Sequence, residues 1–247
     1  QEQDGCVTAV AFSPDGKYVA GGGYKTIRVW KTETGTEVAR MKFNTGPVSA
    51  LAYSHDGKYL ASGDDETARV WDASTGQEIA RRKFGEPVPS VAFSPDGKYV
   101  VSGNDNDVRV WEAATETEVA HMVHGGAIDA VAFSPDGKYV LSGSMDNSVR
   151  VWDTLTGIEV SRMDQDGSIY AVAFSPDGLL AASGGNDNTA RVWEVSTGKE
   201  LASMPHDSWV GAVAFSPDSK YVVSGSDDHT VRVWQVHDAA DGEVGLF

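Results

Sequence analysis

Apolar and polar residues alternate along this chain in short runs, and turns of nearly constant composition separate the runs. In one stretch, alternation over residues 88–93 is followed by Ser94-Pro95-Asp96-Gly97. Proline presets φ there, aspartate bonds to nearby backbone, and glycine accepts a positive φ, so the segment predicts a tight hairpin turn. Further runs at 99–102, 108–111 and 118–122 complete a set of four short strands. The pattern predicts one small antiparallel sheet.

This pattern occurs six times. The third run of each copy ends in Arg-Val-Trp, and the six tryptophans are Trp30, Trp71, Trp111, Trp152, Trp193 and Trp234. Successive tryptophans lie 40 or 41 residues apart, and a constant period of this length is typical of repeat folds. One small sheet cannot hide both of its faces from water. We therefore expect the sheets to stack face to face, with the tryptophans buried between neighbours.

The AFSPDG turns, the SGSxDxTVRVW pattern and the Trp-Asp pairs at 71–72 and 152–153 closely resemble the WD-repeat β-propellers. The near-identity of the copies is most similar to bacterial members of that family. The resemblance implies an all-β fold, a β-propeller of six four-stranded antiparallel blades in a single domain over 1–247. The expected blades cover approximately 6–43, 47–84, 87–123, 127–164, 168–205 and 209–247. Because the family usually has seven blades, a seven-blade-type propeller lacking a repeat is the alternative.

The same resemblance implies a buried quartet of side chains in each blade: a histidine before the first strand, a serine in the second, an aspartate in the next turn and the tryptophan in the third. Two blades match it in full, with His124, Ser142, Asp146 and Trp152, and with His206, Ser224, Asp228 and Trp234. In the other blades Gln3, Asn44, Phe84 and Gln165 stand at the histidine position. Asp65, Asp105 and Asp187 stand at the aspartate position, and Gly21 and Tyr24 replace serine and aspartate in the first blade.

The chain end at 242–247 is expected to supply the fourth strand of the sixth blade, with Glu243 to Phe247 equivalent to Glu37 to Met41. Blade six would then pack on blade one and close a monomeric ring. Self-association would complete the ring if it lacks a blade.

Charge and composition exclude several partners. The formal net charge is −16, which disfavours nucleic acid and anionic membrane surfaces. No run is apolar and long enough to span a bilayer. A single cysteine and the lack of an Asn-x-Ser/Thr site favour the cytoplasm.

No cofactor or metal site is expected. The Asx-rich turns lack the bidentate glutamate of calcium loops, and cysteine is too scarce for zinc. His-Asp-Ser sets repeat with the blades and form no unique cluster, so we expect no enzyme activity.

The informative positions vary while the repeat stays constant. By the resemblance, they face the rim where such propellers bind partners. The expected contact residues are Trp209, Tyr170, Asp129, Pro89, Ser49, Tyr24, Met145 and Asp227. The expected function is a non-catalytic scaffold that binds a protein or peptide there. The alternatives are a multivalent small-ligand or glycan binder, and an engineered or amplified repeat protein without a dedicated partner.

Overall fold

The computed structural model describes residues 6–236 and 244–246 of the 247-residue chain, and the side chains of 6–43 and 46–236 within them. The described residues form strands and turns without a helix. The chain divides into two compact units, residues 1–121 and 122–247, and each unit is described by itself below.

The first unit holds the first two sheets and most of the third. The first sheet contains β1 (Ala9–Phe12), β2 (Tyr18–Lys31) and β3 (Glu37–Pro47). The second contains β4 (Ala50–Tyr53), β5 (Tyr59–Gly63), β6 (Thr67–Asp72) and β7 (Glu78–Lys83). The third contains β8 (Ser90–Phe93), β9 (Tyr99–Asn104), β10 (Asp107–Glu112) and β11 (Glu118–Val123).

The second unit holds three further sheets. The fourth contains β12 (Ile128–Phe133), β13 (Tyr139–Ser144), β14 (Ser148–Asp153) and β15 (Glu159–Asp164). The fifth contains β16 (Ile169–Phe174), β17 (Leu180–Gly185), β18 (Thr189–Glu194) and β19 (Glu200–Pro205). The sixth contains β20 (Val210–Phe215), β21 (Tyr221–Ser226), β22 (Val231–Val236) and β23 (Val244–Leu246).

The strands of every sheet pair antiparallel in chain order, so each sheet is a meander. A Ser-x-Asp segment closes the turn after each first strand; it reads Ser-Pro-Asp-Gly in four sheets, Ser-His-Asp-Gly in the second and Ser-Pro-Asp-Ser in the sixth. In the second sheet, Ser54 Oγ donates to Asp56 Oδ1 at 2.7 Å, and the Lys58 N–H donates to the same oxygen at 3.1 Å. Gly57 takes a φ of 73°, which glycine tolerates. The all-β fold with six antiparallel sheets confirms the predicted fold class.

The first sheet departs from the four-strand prediction because one strand replaces two. A straight strand as long as β2 would span roughly 45 Å, yet the Thr32 N–H just after it donates to the Lys17 carbonyl just before it at 2.8 Å. Therefore β2 folds back on itself, and the fold occurs near Lys25, whose φ is 60°. Its two halves pair with β1 and β3 as the predicted second and third strands.

The chain end supplies a fourth strand to the sixth sheet, in a different register from the expected one. Leu246 pairs with Trp234, and Val244 pairs with Val236. In the first sheet the tryptophan pairs with the glutamate that begins the fourth strand, Glu37. The equivalent Glu243, and Phe247, lie outside the described residues.

Apolar side chains between consecutive sheets form the cores of both units. Between the first and second sheets, Ile27, Val29 and Met41 pack against Val48 and Trp71. The same arrangement buries Trp111 in the first unit, and Trp193 and Trp234 in the second. Burying one tryptophan removes about 150–250 Å² from water, which corresponds to about 4–6 kcal/mol at most. Stacking is therefore the main stabilising term of each unit.

A glycine in each second strand makes this close stacking possible. A Cβ added to Gly143 would lie 2.6 Å from Ile169 Cγ2 and 2.8 Å from Val172 Cγ1. Equivalent clashes arise at Gly22 with Val48 and at Gly184 with Val210. The missing side chain of this glycine leaves a space, here called the glycine slot, that receives the first strand of the following sheet.

We expect Gly143→Ala to lower the free energy of unfolding by about 1–3 kcal/mol, because the added methyl group overpacks the junction with Ile169. Gly225→Ala is the matched control, since among the described residues its Cβ would meet only Ala212, at 3.8 Å. Urea unfolding of both variants measures the difference. Equal losses of unfolding free energy in the two variants would contradict this role of Gly143.

Candidate functional site

A chain of buried hydrogen bonds ties the fourth sheet together. The Trp152 Nε1–H donates to Ser142 Oγ at 2.8 Å, and Ser142 Oγ lies 2.7 Å from His124 Nε2. His124 Nδ1 lies 3.1 Å from Asp146 Oδ2. Because Ser142 already accepts from the indole, its own hydroxyl donates to Nε2, which leaves the imidazole proton on Nδ1 and directed at Asp146.

The sixth sheet contains the same four contacts. Trp234 Nε1 donates to Ser224 Oγ at 2.8 Å, Ser224 Oγ lies 2.7 Å from His206 Nε2, and His206 Nδ1 lies 3.0 Å from Asp228 Oδ2. Both imidazoles also meet their tryptophan edge to face. The structure therefore brings together both sets of four residues that the sequence singles out.

Gln165 takes the place of histidine in the fifth sheet. Ser183 Oγ accepts from Trp193 Nε1 and donates to Gln165 Oε1, both at 2.8 Å. Gln165 Nε2 then donates to Asp187 Oδ1 at 2.8 Å. The amide offers one acceptor and one donor in the same order as a neutral imidazole, so the hydrogen-bond chain is complete without a titratable imidazole.

In the second and third sheets the contacts are made by aspartates other than those that the family resemblance places at this position. Asp64, and not Asp65, accepts hydrogen bonds from the Thr67 N–H and hydroxyl at 2.9 and 2.7 Å. Asp107, and not Asp105, contacts its sheet's side chains, at 2.7 Å from Arg109.

The turns of these two sheets also differ in length from the turn of the fourth sheet. The serine and tryptophan that share a hydrogen bond are nine residues apart in these two sheets and ten apart in the fourth. The turns of the second and third sheets are thus one residue shorter, and the contacting aspartate lies one residue before Asp65 in the second sheet and two residues after Asp105 in the third. Asn44 and Gln3 are the other substitutes at the histidine position; the side chain of Asn44 and all of Gln3 lie outside the described residues.

The arginine of the Arg-Val-Trp triplet is a structural residue that the sequence reasoning missed. In the fourth sheet, Arg150 contacts Asp146 of the turn at 2.9 Å and Glu159 of β15 at 3.2 Å. The glutamate lies nine residues after the arginine, and the same spacing gives ion pairs elsewhere. These are Arg28–Glu37, Arg69–Glu78, Arg109–Glu118 and Arg191–Glu200. That repeated spacing is the signal that could have identified it.

Burial and hydrogen bonding determine the protonation of the fourth-sheet network. Burial lowers the pKa of His124 to about 4, against the smaller opposing effect of Asp146. For Asp146, burial acts to raise the pKa. The hydrogen bonds from Ser148 and from the Gly125 N–H outweigh it, so the pKa lies well below its usual range. A neutral imidazole beside a carboxylate is the state that matches the hydrogen-bond order.

The predicted contact residues of the second unit lie at one end of its sheets. There the Met145 N–H donates to the Ala127 carbonyl at 2.8 Å, and the Asp227 N–H donates to the Trp209 carbonyl at 2.9 Å. Each turn after a second strand is thus joined to the segment that precedes the first strand of its sheet. Met145, Asp227 and Trp209 are exposed.

Variable positions on the first strands of this unit lie in β-bulges. The register of the first strand shifts between Ile128 and Ala130 and between Ile169 and Ala171, which leaves Asp129 and Tyr170 out of the regular pairing. A bulge redirects a side chain away from the alternation of its strand. Both residues are half-buried.

Tyr170 and Trp209 come from neighbouring sheets and meet, with ring centroids 6.0 Å apart and an interplanar angle of 51°. Trp209 is 52% exposed. The equivalent residues of the fourth and fifth sheets are the smaller Ala127 and Ser168. The pair is therefore an exposed aromatic surface specific to these two sheets.

Asp129 has an unusual environment. Burial raises the pKa of its carboxyl group. Its Oδ2 atom is buried and has no hydrogen-bond partner among the described residues. A buried acceptor without a donor is energetically costly, so a donor brought by a partner would stabilise it.

The first unit contains the remaining predicted contact residues. Tyr24 lies at the fold of β2, pairs with Pro47, and is 56% exposed. Ser49 and Pro89 come immediately before β4 and β8, and the Ser49 N–H donates to the Gly63 carbonyl at 2.8 Å. The structure gives no contact among these three side chains.

Among the described residues, no three or more His, Cys, Asp or Glu side chains form a group that could hold a metal ion. The described part of the chain also has no helix that could cross a membrane.

Stacked antiparallel meander sheets, five of which contain a hydrogen bond from an indole to a serine, are the architecture of the β-propeller repeat proteins. A family model described as IFT122 first beta-propeller matches residues 6–169, and one described as WD domain, G-beta repeat matches 159–194 and 198–235. The chain belongs to the WD-repeat β-propeller family. Comparison with curated proteins gives no significant match. Propellers of this family generally act as non-catalytic protein-interaction scaffolds.

We expect His124→Ala to lower the free energy of unfolding by about 2–4 kcal/mol, because it leaves a cavity and deprives Ser142 and Asp146 of their partner. His124→Gln is expected to lose less than half as much, since Gln165 performs the same role in the fifth sheet. Urea unfolding at pH 7.5 compares the two. A glutamine variant as unstable as the alanine variant would refute the equivalence.

The network also predicts a pH dependence. The pKa of His124 lies below its ordinary value of 6.5, so the unfolded chain binds a proton there more readily than the folded chain. This contribution to stability is complete above pH 6.5 and is lost as the pH falls towards 4, by about 3 kcal/mol at most. Over this range, the unfolding free energy of His124→Gln should decline less steeply than that of the wild type. Parallel curves would show that His124 is not the group responsible.

Proposed function

We propose that this protein is a non-catalytic scaffold that binds a protein or peptide at the end of the fifth and sixth sheets, with Tyr170 and Trp209 as the anchor. The observation that carries this proposal is the contact between these two rings, one of them half exposed to solvent. Aromatic side chains contribute large binding areas at low entropic cost, and they dominate the energetics of protein interfaces.

The surrounding charge favours a basic segment as the partner. Asp227 is exposed beside Trp209, and the side chain of Asp207, two residues before Trp209, is 89% exposed. Asp129 on the neighbouring first strand has an oxygen that lacks a donor. The formal net charge of −16 attracts a cationic peptide at long range. A lysine or arginine side chain would meet both the carboxylates and the aromatic faces.

Differences between the sheets support one asymmetric partner over repeated small ligands. A multivalent glycan or small-molecule binder needs equivalent side chains at equivalent positions. Here the positions hold Asp129, Tyr170 and Gly211, and the turns hold Met145 and Asp227. The cytoplasm is the compartment we propose, because Cys6 is free and exposed.

The test is selection from a random peptide library on the wild-type protein, followed by affinity measurements on synthesised peptides. Tyr170→Ala/Trp209→Ala is expected to weaken binding at least tenfold, because both anchor rings are lost. Leu179→Ala is the matched control, since it removes an exposed apolar side chain from the opposite end of the fifth sheet. Peptides enriched in lysine or arginine, with affinity that falls as salt rises, are expected.

Equal affinity of the selected peptides for the wild type and for the double variant would overturn this location. Selection of acidic or uncharged peptides would overturn the proposed partner chemistry while leaving the aromatic anchor in place.

A further inference from the structure

A cavity lies inside the first unit, between the turn that joins β1 to β2 and the turn that joins β4 to β5. Pro14 and Asp15 line it from the first turn, and His55 and Asp56 line it from the second. A Cβ added to Gly57 would lie 3.6 Å from Pro14 Cδ, so the two turns are in contact beside it. The cavity has a volume of about 470 Å³, which lies within the range of small-molecule sites, roughly 300–1,000 Å³.

A second, smaller cavity adjoins the first. It has a volume of about 120 Å³ and shares Tyr18, Gly57 and Ser74 with the larger one. Val29 and Val38 also line it, and Val29 is only 1% exposed. The pair of cavities therefore has an outer part with polar and charged walls and an inner part with mainly apolar walls.

Tyr53 brings an unsatisfied polar atom to the inner cavity. It is one of the lining residues, and its buried hydroxyl oxygen has no hydrogen-bond partner among the described residues. Burial raises the pKa of this phenol to about 12, so the hydroxyl is neutral at pH 7. Buried tyrosine hydroxyls usually have a partner, and leaving one unpaired is costly. A ligand with a hydroxyl group at this point would supply the missing hydrogen bond.

The repeat shows that this hydroxyl is not needed for folding. The other copies have phenylalanine at the position of Tyr53, namely Phe12, Phe93, Phe133, Phe174 and Phe215. Between the second and third sheets the equivalent cavity is again lined by a tyrosine and an aliphatic side chain, Tyr59 and Ile79. The same turn of the second sheet also has His55 where the other copies have proline. Both polar departures of this turn therefore line the one pair of cavities.

Carboxylates determine which charge the outer cavity attracts. Asp15, Asp56 and Asp72 line it. Hydrogen bonds from a serine hydroxyl to Asp15 and to Asp72, and from a backbone N–H to Asp56, hold the pKa of each carboxyl below its usual value. All three are therefore ionised at pH 7, and they favour a cation over an anion.

Asp72 is the carboxylate best placed to meet a ligand. Asp15 and Asp56 are paired with lysines of their own turns, at 3.2 and 2.9 Å. Asp72 accepts the hydrogen bonds of its turn, from Ser74 and Thr75, at Oδ1 alone. Among the described residues its Oδ2 atom has no such contact. This oxygen can therefore accept a hydrogen bond from an ammonium group.

We propose that the first unit binds a small organic amine in these two cavities, with the ammonium group at Asp72 and a hydroxyl group of its apolar body at Tyr53. The aliphatic walls bury the carbon skeleton, and the face of Tyr18 attracts the positive charge. The site shares no residue with the Tyr170–Trp209 pair of the second unit.

Titration calorimetry of the full chain with tyramine at pH 7.5 tests the proposal, because tyramine carries an ammonium group and a phenol at opposite ends of an apolar body. Saturable binding at one site per chain is expected. Phenethylamine, which lacks the hydroxyl, should bind about threefold to tenfold more weakly. Tyr53→Phe should bind both amines equally, with the affinity that the wild type has for phenethylamine.

A second set of titrations examines the charge. 4-Hydroxyphenylacetate, which has a carboxylate in place of the amine, should not bind. Asp72→Asn keeps the Oδ1 acceptor of its turn and should weaken tyramine binding about fivefold or more. Asp153→Asn is the matched control, because Asp153 Oδ1 accepts the equivalent turn bonds from Leu155 and Thr156 in the fourth sheet. Its affinity for tyramine should equal that of the wild type.

Two controls separate this site from other effects. Tyr53→Phe should have an unfolding free energy in urea equal to or higher than that of the wild type, because it removes an unpaired hydroxyl. Tyr170→Ala/Trp209→Ala should bind tyramine as the wild type does. Loss of tyramine binding in that double variant would place the amine at the aromatic pair and overturn the proposal.

Three other results would overturn it as well. They are a wild type that shows no saturable tyramine binding, a Tyr53→Phe variant that still prefers tyramine to phenethylamine, and equal tyramine affinities of Asp72→Asn and Asp153→Asn.

Discussion

The structure depends on the fact that a four-stranded sheet has two faces, and that both must be removed from water. Neither face can be hidden within one sheet, so each sheet relies on its neighbour for burial. The glycine slot and the first-strand valine or isoleucine are the two parts of this contact. Where a slot is filled, its glycine has no room for a side chain, as Gly143 shows. Many of the residues that recur in every copy are therefore those that form the contact between neighbouring sheets.

Polar side chains complete what stacking begins, because the buried indole and hydroxyl need partners. The tryptophan N–H donates to the serine hydroxyl, and the serine hydroxyl donates to an acceptor atom of the next side chain. A donor atom of that same side chain then bonds to the carboxylate. Histidine and glutamine both provide that acceptor and donor, which explains why Gln165 fits where His124 and His206 stand. The position therefore requires a side chain with one acceptor and one donor in this order, and it does not require a charge. At His124 the imidazole also couples its sheet to pH, because its pKa is lowered by burial.

The sequence predicted the strand order, the six sheets and the buried tryptophans, since period, turn chemistry and alternation all act locally. Three details needed the structure. The turns of the second and third sheets are one residue shorter, and there Asp64 and Asp107 make the contacts expected of Asp65 and Asp105. The last strand pairs in a register that its sequence does not specify. The arginine–glutamate pairs were visible as a constant spacing of nine, but only contact geometry gives that spacing a meaning.

Fold and recognition place opposite demands on this chain, and the structure assigns them to different positions. Residues between sheets are nearly invariant from copy to copy because each must fit the same slot. Residues in the bulges of the second unit, such as Asp129 and Tyr170, lie outside the regular pairing and carry no such restriction. They can therefore vary without cost to stacking, and a surface specific to two sheets can arise on a uniform scaffold.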